Sequence, residues 1–130
     1  MKPPTPSATD PLGIRLVGAI AGRDTAALLE LLPTPVTFRA VTPNRFWDAD
    51  TAIGVVDIVL GTWFSPDRSI TEVESLELSN VAHLARLDYR LAVETSSGPA
   101  VIEQVAYYTE QDGRIADLRL VCSGFVPRDA

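Results

Sequence analysis

The amino-acid sequence predicts an α+β domain in which N-terminal helices and one buried helix lie in the mouth of a curved, mixed or antiparallel sheet. Helical patterns end near residue 64, and only strand patterns follow from residue 70 onward. Two hairpin turn sequences, Ser96–Pro99 and Gln111–Gly113, separate the last three strands. They indicate an antiparallel meander in the C-terminal half.

The chain is predicted to form one domain with a short extension at each end. Residues 1–10, rich in Pro and Thr, are expected to be a flexible lead, residues 11–126 the domain, and residues 127–130 a C-terminal tail. A length of 130 residues suffices for one sizeable core.

Capping residues indicate where the helices begin. Asp10, followed by Pro11, predicts the start of the first helix, and Asp24 or Thr25 is expected to cap a short second helix. A third helix is predicted from residue 51 to residue 64, because its apolar side chains cover most of the circumference. We expect it to be buried under the sheet, with Asp48 or Asp50 as its cap.

Alternation of apolar and polar residues predicts one dry face for each strand. Val36, Phe38 and Ala40 share that face on the first strand. The later strands are expected at Ile70–Leu78, His83–Thr95, Ala100–Glu110 and Arg114–Ser123. Their apolar sets are Ala85, Leu87, Tyr89, Leu91 and Val93, and then Ala116, Leu118, Leu120 and Cys122.

Composition excludes several classes of function. The net charge of −6 and the scattered basic residues argue against nucleic acid as a partner. The longest apolar stretch, Ala52–Phe64, is shorter than the roughly 20 residues of a membrane span, and no signal sequence is evident. A lone Cys122 is typical of a cytoplasmic protein and gives no metal-ligand spacing. Neither metal nor cofactor is predicted.

The order of elements resembles the nuclear transport factor 2-like superfamily, including its SnoaL-like and ketosteroid isomerase-like groups. The run Leu31–Phe38 is similar to the entry into that superfamily's first strand, and Tyr107 and Tyr108 followed by Asp112–Ile115 are similar to its last hairpin. The resemblance implies a cone-shaped, cystatin-like fold with a pocket between the helices and the concave sheet face. It also implies a homodimer joined through the sheets.

The catalytic patterns of that superfamily fit this chain poorly. A ketosteroid isomerase pattern needs a base, a tyrosine and an acid where this sequence has Ala40, Leu16 and Ala106, or Val105 in a shifted register. A His–Asp dyad has only His83 available, and strand parity places Asp88 on the opposite face.

An Asp–Arg–Asp arrangement for epoxide hydrolysis has the residue types it needs. They are Asp88, Arg86, Arg90, Asp117 and Arg119. Their shared polar face favours ordinary cross-strand ion pairs or dimer contacts over a catalytic role.

The remaining catalytic candidates are His83, Gln104, Tyr108 and Glu103. On the strand from residue 100 to residue 110, Glu103 and Tyr107 oppose Gln104 and Tyr108, and either set could face inward. The resemblance favours Gln104 and Tyr108 in the pocket.

Two functions of different classes follow. The first is binding of an apolar small molecule, with isomerase-, cyclase- or dehydratase-type chemistry as an extension. The second is a non-catalytic dimerisation or assembly module whose core is filled by Trp63, Phe38 and Leu118, with no cavity of a few hundred cubic ångströms. Phe46 is a further aromatic candidate beside the predicted pocket residues, which are Leu16, Phe38, Ala40, Trp47, Trp63, Ala106, Tyr108, Leu118 and Cys122.

Overall fold

The computed structural model describes residues 10–128 and confirms the α+β architecture. The predicted lead, Asp10 apart, and the last two residues of the predicted tail lie outside the described residues. The helices are α1 Leu12–Ala21, α2 Thr25–Leu31 and α3 Ala52–Val56, which continues as a π-helical segment, Asp57–Trp63. The strands are β1 Thr37–Thr42, β2 Arg45–Ala49, β3 Ser69–Val81, β4 Leu84–Thr95, β5 Gly98–Gln111, β6 Arg114–Cys122 and β7 Val126–Pro127.

The strands form one mixed sheet in the order β2-β1-β6-β5-β4-β3. β3 to β6 are the predicted antiparallel meander, and β1 joins it by pairing in parallel with β6. β7 pairs with β5 at Ala100 and Val101, beyond the stretch of β5 that β6 covers. The two halves of the chain therefore share one sheet.

The concave face of the sheet is dry, as the alternation predicted. Leu87, Tyr89, Leu91 and Val93 of β4 are all buried against the helices. One prediction is wrong: the inward residue near the start of β6 is Ile115, not Ala116. Thr109 pairs with Asp117 and Glu110 pairs with Ile115, so an extra residue in β6 forms a bulge that parity alone does not anticipate.

Two of the three predicted helix caps need correction. Asp24 caps α2, accepting a hydrogen bond from the Ala27 N–H at 3.0 Å, as predicted. The third helix is capped by Thr51, whose Oγ1 accepts from the Gly54 N–H at 3.0 Å, and not by Asp48 or Asp50. The backbone carbonyl of Asp50 instead accepts from the Val36 N–H at 3.0 Å, which joins the end of β2 to the start of β1.

α1 begins at Leu12, one residue after the predicted first position at Pro11, and Asp10 is not its cap. Pro11 occupies the N-cap position, where proline has no side-chain acceptor to offer. The Gly13 N–H, one of the free donors of the first turn, donates to the hydroxyl of Tyr108 at 2.9 Å. A Cβ at residue 13 would lie 3.0 Å from that hydroxyl oxygen, so the close approach requires glycine. A strand side chain thus replaces the local cap.

The third helix is less buried than predicted. Val55, Val59, Leu60 and Trp63 are buried, whereas Ile53 is 65% exposed. The helix lies against the mouth of the sheet with one side in solvent, and so it is not enclosed under the sheet. Its wider π-helical turns bring Trp63 and Phe64 together onto the buried side, an arrangement that a regular 3.6-residue repeat does not give.

Two arginines bind the carbonyl groups at the end of the π-helical segment. The Arg23 guanidinium donates to the carbonyl oxygens of Phe64 and Leu60, the latter at 3.3 Å. The Arg68 guanidinium donates to the carbonyls of Thr62 at 3.3 Å and Trp63 at 3.1 Å. Positive charges at this end also interact favourably with the negative end of the helix dipole. The position of Trp63 is therefore fixed from both sides of the segment.

The C-terminal end of the described chain is fastened by one carboxylate on β3. The Glu74 carboxylate accepts from the Arg128 guanidinium at 2.6 and 2.7 Å and from Arg90 Nε at 3.1 Å. The Arg128 N–H also donates to the Pro99 carbonyl at 3.0 Å. Hydrogen bonds from Arg128 hold the pKa of Glu74 below its usual range.

We expect Tyr108→Phe to lower the free energy of unfolding by about 1–3 kcal/mol, because it leaves the buried Gly13 N–H without its acceptor. Chemical denaturation measures the change. Tyr107→Phe is the matched control, since Tyr107 lies on the opposite face of β5, half-buried. Equal effects of the two substitutions would contradict the capping role of Tyr108.

Glu74 should make the stability depend on pH in the acid range. Because its folded pKa is lowered, its contribution is present above the ordinary carboxyl pKa of about 4 and is lost as the pH falls below it. Melting temperatures measured across this range should fall less steeply for Glu74→Gln than for the wild type. Glu94→Gln, at an exposed site near the end of β4, should keep the wild-type slope. A wild-type slope in Glu74→Gln would refute this assignment.

Candidate functional site

A cavity of about 430 Å³ opens at the mouth of the cone, between the end of the π-helical segment and the C-terminal ends of β1 and β6. Its surface is mainly apolar and aromatic, with a single charged side chain, Arg68, among the lining residues. The lining comprises Thr42, Pro43, Trp47, Thr62, Trp63, Arg68, Ile102, Cys122, Ser123, Gly124 and Phe125. This size and composition are typical of small-molecule sites.

Three aromatic rings pack one against the next, from the core to the mouth of the cone. The ring centroids of Phe38 and Trp63 lie 6.1 Å apart, and those of Trp63 and Trp47 lie 5.9 Å apart at 87°. Trp47 donates its indole N–H to Thr42 Oγ1 at 2.8 Å. The indole N–H of Trp63 is buried and has no hydrogen-bond acceptor among residues 10–128. The Trp63 ring therefore lines the cavity, while its N–H group is closed off from it.

A second unused donor lies beside the cavity floor. Gln104 is 1% exposed and sits on β5 directly opposite Cys122 of β6, while Cys122 and Ile102 line the floor. The Gln104 Oε1 accepts a hydrogen bond from the Tyr89 hydroxyl on β4. The Gln104 Nε2 group is buried without an acceptor in the described part of the chain. Gln104 thus lies behind the lining residues Ile102 and Cys122, and its amide N–H group is closed off from the cavity.

The rim of the cavity is held in place by the C-terminal segment. Gly124 has a φ of +79°, and a Cβ there would lie 2.8 Å from Pro43 Cγ, so the turn requires glycine. It brings Phe125 edge-on to Phe64, with ring centroids 5.9 Å apart, and places the Arg68 guanidinium 4.6 Å from the Phe125 ring centre. Arg68 therefore links the helix end to the rim.

The predicted pocket residues divide into two groups. Trp47, Trp63 and Cys122 line the cavity. The other six, Leu16, Phe38, Ala40, Ala106, Tyr108 and Leu118, are buried in the hydrophobic core behind it. The aromatic Phe46 is 84% exposed on the outer face of β2 and does not contribute to the cavity. The cavity therefore lies at the mouth of the cone, and these six residues belong to the packed core.

The structure places His83 away from Gln104. It is exposed in the turn between β3 and β4, whereas the sequence predicted it at the start of the strand. His83 precedes Tyr89, the cross-strand neighbour of Gln104, by six residues, a distance of roughly 20 Å along a strand. It precedes Ala85, the cross-strand neighbour of Tyr108, by two residues, so it lies at the Tyr108 end of the sheet and is not grouped with Gln104.

The inward face of β5 carries Gln104, Ala106 and Tyr108, so the structure decides between the two faces that the sequence pattern allows. Glu103 points to the opposite face, is exposed, and sits opposite Arg90 in the sheet register. Burial raises the pKa of the Tyr108 phenol, against the opposing effect of the Gly13 N–H that its oxygen accepts. Tyr108 has a structural partner and Glu103 is outside the cone.

The charged residues of β4 and β6 also lie on the outer face. Arg86 pairs with Asp88 at 3.1 Å and Arg119 pairs with Asp117 at 3.4 Å, in each case along one strand. Arg90 pairs with Glu74 of β3 at 3.1 Å, across strands as predicted. They are partly exposed and belong to the sheet surface. An epoxide-hydrolysing arrangement is not formed by them.

Most of the lining residues, among them Arg68, were not indicated by the sequence patterns, and neither was the hydrogen bond between Tyr89 and Gln104. Alternation places Tyr89 on the dry face, where a buried hydroxyl needs a partner, and cross-strand pairing with Gln104 was the available signal. Burial holds the Tyr89 pKa well above its usual range, so its phenol remains protonated as a donor. Arg68 lies in a predicted turn with no pattern to mark it.

Within residues 10–128, no cluster of three or more His, Cys, Asp or Glu side chains could hold a metal ion. None of the described helices is long and apolar enough to cross a membrane.

Solved structures of similar shape cover most of the chain. A candidate isomerase from Rhodopseudomonas palustris has a TM-score of 0.72 at 15% identity, over 89% of this chain and 92% of that one. An LEH-like epoxide hydrolase from M. tuberculosis has a TM-score of 0.67 at 12% identity, over 86% of this chain and 80% of that one. A candidate polyketide cyclase from Pseudomonas putida has a TM-score of 0.66 at 15% identity, over 88% and 90%.

No protein-family model and no curated protein matches the sequence. The solved structures nevertheless agree on one architecture, and at these identities they report the fold and not the chemistry. Helices packed in the mouth of a curved mixed sheet are the features that the sequence resemblance implied. The chain has the cone fold of the nuclear transport factor 2-like superfamily.

Proposed function

We propose that the protein binds an apolar small molecule carrying a hydrogen-bond acceptor, such as a ketone, in the cavity at the mouth of the cone. The observation that carries this proposal is an apolar, aromatic cavity of about 430 Å³ whose described lining has one charged side chain, Arg68. A guanidinium carries five N–H donors and no acceptor. Its Nη1 donates to the Thr62 and Trp63 carbonyls, and a ligand oxygen would accept from its other N–H groups.

The same geometry supports one kind of chemistry more than others. A guanidinium facing a carbonyl oxygen would stabilise negative charge developing there, as in isomerisation, cyclisation or dehydration of a carbonyl compound. A candidate isomerase, a candidate polyketide cyclase and an LEH-like epoxide hydrolase are among the proteins of similar fold. The described lining contains no carboxylate or imidazole to act as a base. Binding is therefore the core of the proposal and catalysis its extension.

The test compares naphthyl methyl ketone with ethylnaphthalene, which lacks only the oxygen. We expect the ketone to bind about tenfold more tightly or better, because each hydrogen bond contributes roughly 0.5–1.5 kcal/mol and 1.4 kcal/mol is a factor of ten. The chain provides two reporters: both of its tryptophans line the cavity, and so does its single cysteine, Cys122. Ligand should change tryptophan fluorescence and slow modification of Cys122 by a thiol reagent.

Arg68→Met is the matched variant, since methionine keeps a long unbranched side chain and removes the guanidinium donors. It should weaken ketone binding and change ethylnaphthalene binding much less. Equal affinity of the wild type for the two probes, or no binding of either, would refute the proposal.

A second candidate function, self-assembly through the sheet, is favoured by a row of apolar residues on its outer face. Phe46, Val41, Val121 and Val105 are consecutive cross-strand neighbours on β2, β1, β6 and β5. The first three are 84%, 40% and 55% exposed. A continuous apolar row flanked by charged side chains is the pattern of an interface centre with a polar rim. We propose a homodimer that buries this row.

Val121→Asp should convert the dimer into a monomer, because it places a charge at the centre of the row. The measurement is light scattering coupled to gel filtration, with circular dichroism to show that the fold is intact. Ile53→Asp is the control, since Ile53 is an equally exposed aliphatic residue on α3 and lies outside the sheet. A monomeric wild type, or a dimeric Val121→Asp variant, would exclude this interface.

A further inference from the structure

We propose that a second cavity, next to the one at the mouth of the cone, is a subsite for a carboxylate group, so that the preferred ligands are ionised apolar carboxylic acids. This second cavity, of about 280 Å³, lies between the C-terminal segment and the turn that joins β4 to β5. Arg68 and Phe125 line both cavities, which are therefore adjacent. The inference rests on the proposed ligand site and names the chemical class of its ligand.

Hydroxyl groups line the side of the second cavity that the turn provides. They belong to Thr95, Ser96 and Ser97. Thr95 Oγ1 accepts from the Ser97 N–H at 3.1 Å and donates to the Gly98 carbonyl at 2.8 Å, so the Thr95 side chain shapes the turn. The Ser96 and Ser97 side chains are exposed, and each hydroxyl can donate to an anion. The turn therefore adds neutral donors beside the Arg68 guanidinium.

The Arg68 guanidinium is held in place and still has N–H groups to offer. Its Nη1 donates to the carbonyls of Thr62 at 3.3 Å and Trp63 at 3.1 Å, and its central carbon lies 4.6 Å from the Phe125 ring centre. The N–H groups of Nε and Nη2 remain, and one from each forms a planar fork. A carboxylate can occupy both arms of this fork with its two oxygens, whereas a ketone has one oxygen.

The charges around the two cavities also favour a carboxylate. The four ion pairs that the structure shows within residues 10–128 all involve other arginines. Neither cavity has an Asp or Glu side chain in its described lining, although the whole chain has a net charge of −6. The one guanidinium matches the single charge of a carboxylate. A phosphate group carries more charge than one arginine neutralises.

The experiment compares naphthylacetate with naphthylacetamide, in which an NH₂ group replaces one carboxylate oxygen. The two probes have nearly the same shape, and only the acid is charged at neutral pH. Isothermal titration calorimetry should show that the wild type binds the carboxylate about tenfold more tightly, because charge-assisted hydrogen bonds are roughly twice as strong as neutral ones. Arg68→Met should reduce this preference to within about twofold of unity. Equal binding of the two probes by the wild type would overturn the inference.

Ser97→Lys tests whether the carboxylate lies in the second cavity. It adds a positive charge beside that cavity and should raise the preference for naphthylacetate by about threefold or more. A gain of this kind cannot result from partial unfolding. Asn80→Lys is the matched control, since it adds the same charge at an exposed site toward the far end of β3, whose first residue follows Arg68. No gain in Ser97→Lys, or an equal gain in Asn80→Lys, would refute the subsite.

Failure of this inference is distinct from failure of the ligand site. If the wild type does not distinguish naphthyl methyl ketone from ethylnaphthalene, the proposed function fails and the carboxylate subsite falls with it. If the wild type prefers the ketone but binds naphthylacetate and naphthylacetamide equally, the ligand site stands and the carboxylate subsite is refuted.

Discussion

The parallel pairing of β1 with β6 is the contact on which the rest of the fold depends. It places Phe38 beside Leu118 and Ala40 beside Leu120, although most of the chain separates each pair in sequence. Because the strands are in register, the inner residues of the β1–β2 hairpin continue the dry face of the meander. Without this pairing β6 would be an open sheet edge, and the aromatic rings of β1 and β2 would have no core to join.

The cavity follows from that junction, because its walls come from both halves. Trp47 and Trp63 belong to the N-terminal half, whereas Ile102, Cys122 and Phe125 belong to the C-terminal half. Neither half alone encloses the space, so the site exists only when the sheet is complete. Two arginines on the carbonyls of the π-helical segment then hold the Trp63 indole at the boundary between filled core and open mouth.

The spacing of apolar residues is sufficient to predict the architecture. A strand that buries one face repeats its apolar residues every two positions, and a helix that does so repeats them about every 3.6 positions. The alternation in β4 predicts Leu87, Tyr89 and Leu91 as core residues, and all three are buried. The bulge near Ala116 and the π-helical turns are not predictable in this way, because each depends on how a distant partner fits against the strand or helix. Local periodicity contains no information about such partners.

The candidate site is predictable in residue type more than in arrangement. Trp47, Trp63 and Cys122 are expected in a pocket because aromatic and small apolar residues favour the interior, and they do line the cavity. That Trp63 and Gln104 have unpaired N–H groups cannot be predicted, because pairing is decided by the three-dimensional surroundings of each atom. The strand that was expected to start at His83 starts at Leu84, because a strand start and a hairpin turn look alike in sequence.

The distribution of charge limits what chemistry the cavity can support. The carboxylates of Glu103, Asp88 and Asp117 lie on the outer face, so the thickness of the sheet separates them from the mouth. Inside, the Tyr89 phenol has a pKa raised by burial and is a poor proton acceptor or donor for transfer at neutral pH. What the described lining offers is the Arg68 guanidinium and the hydroxyl groups of Thr42, Thr62 and Ser123 beside an apolar surface, where such dipoles act most strongly. A reaction in this cavity would therefore be one in which polarising an oxygen is the main demand and the mobile proton is exchanged within the ligand.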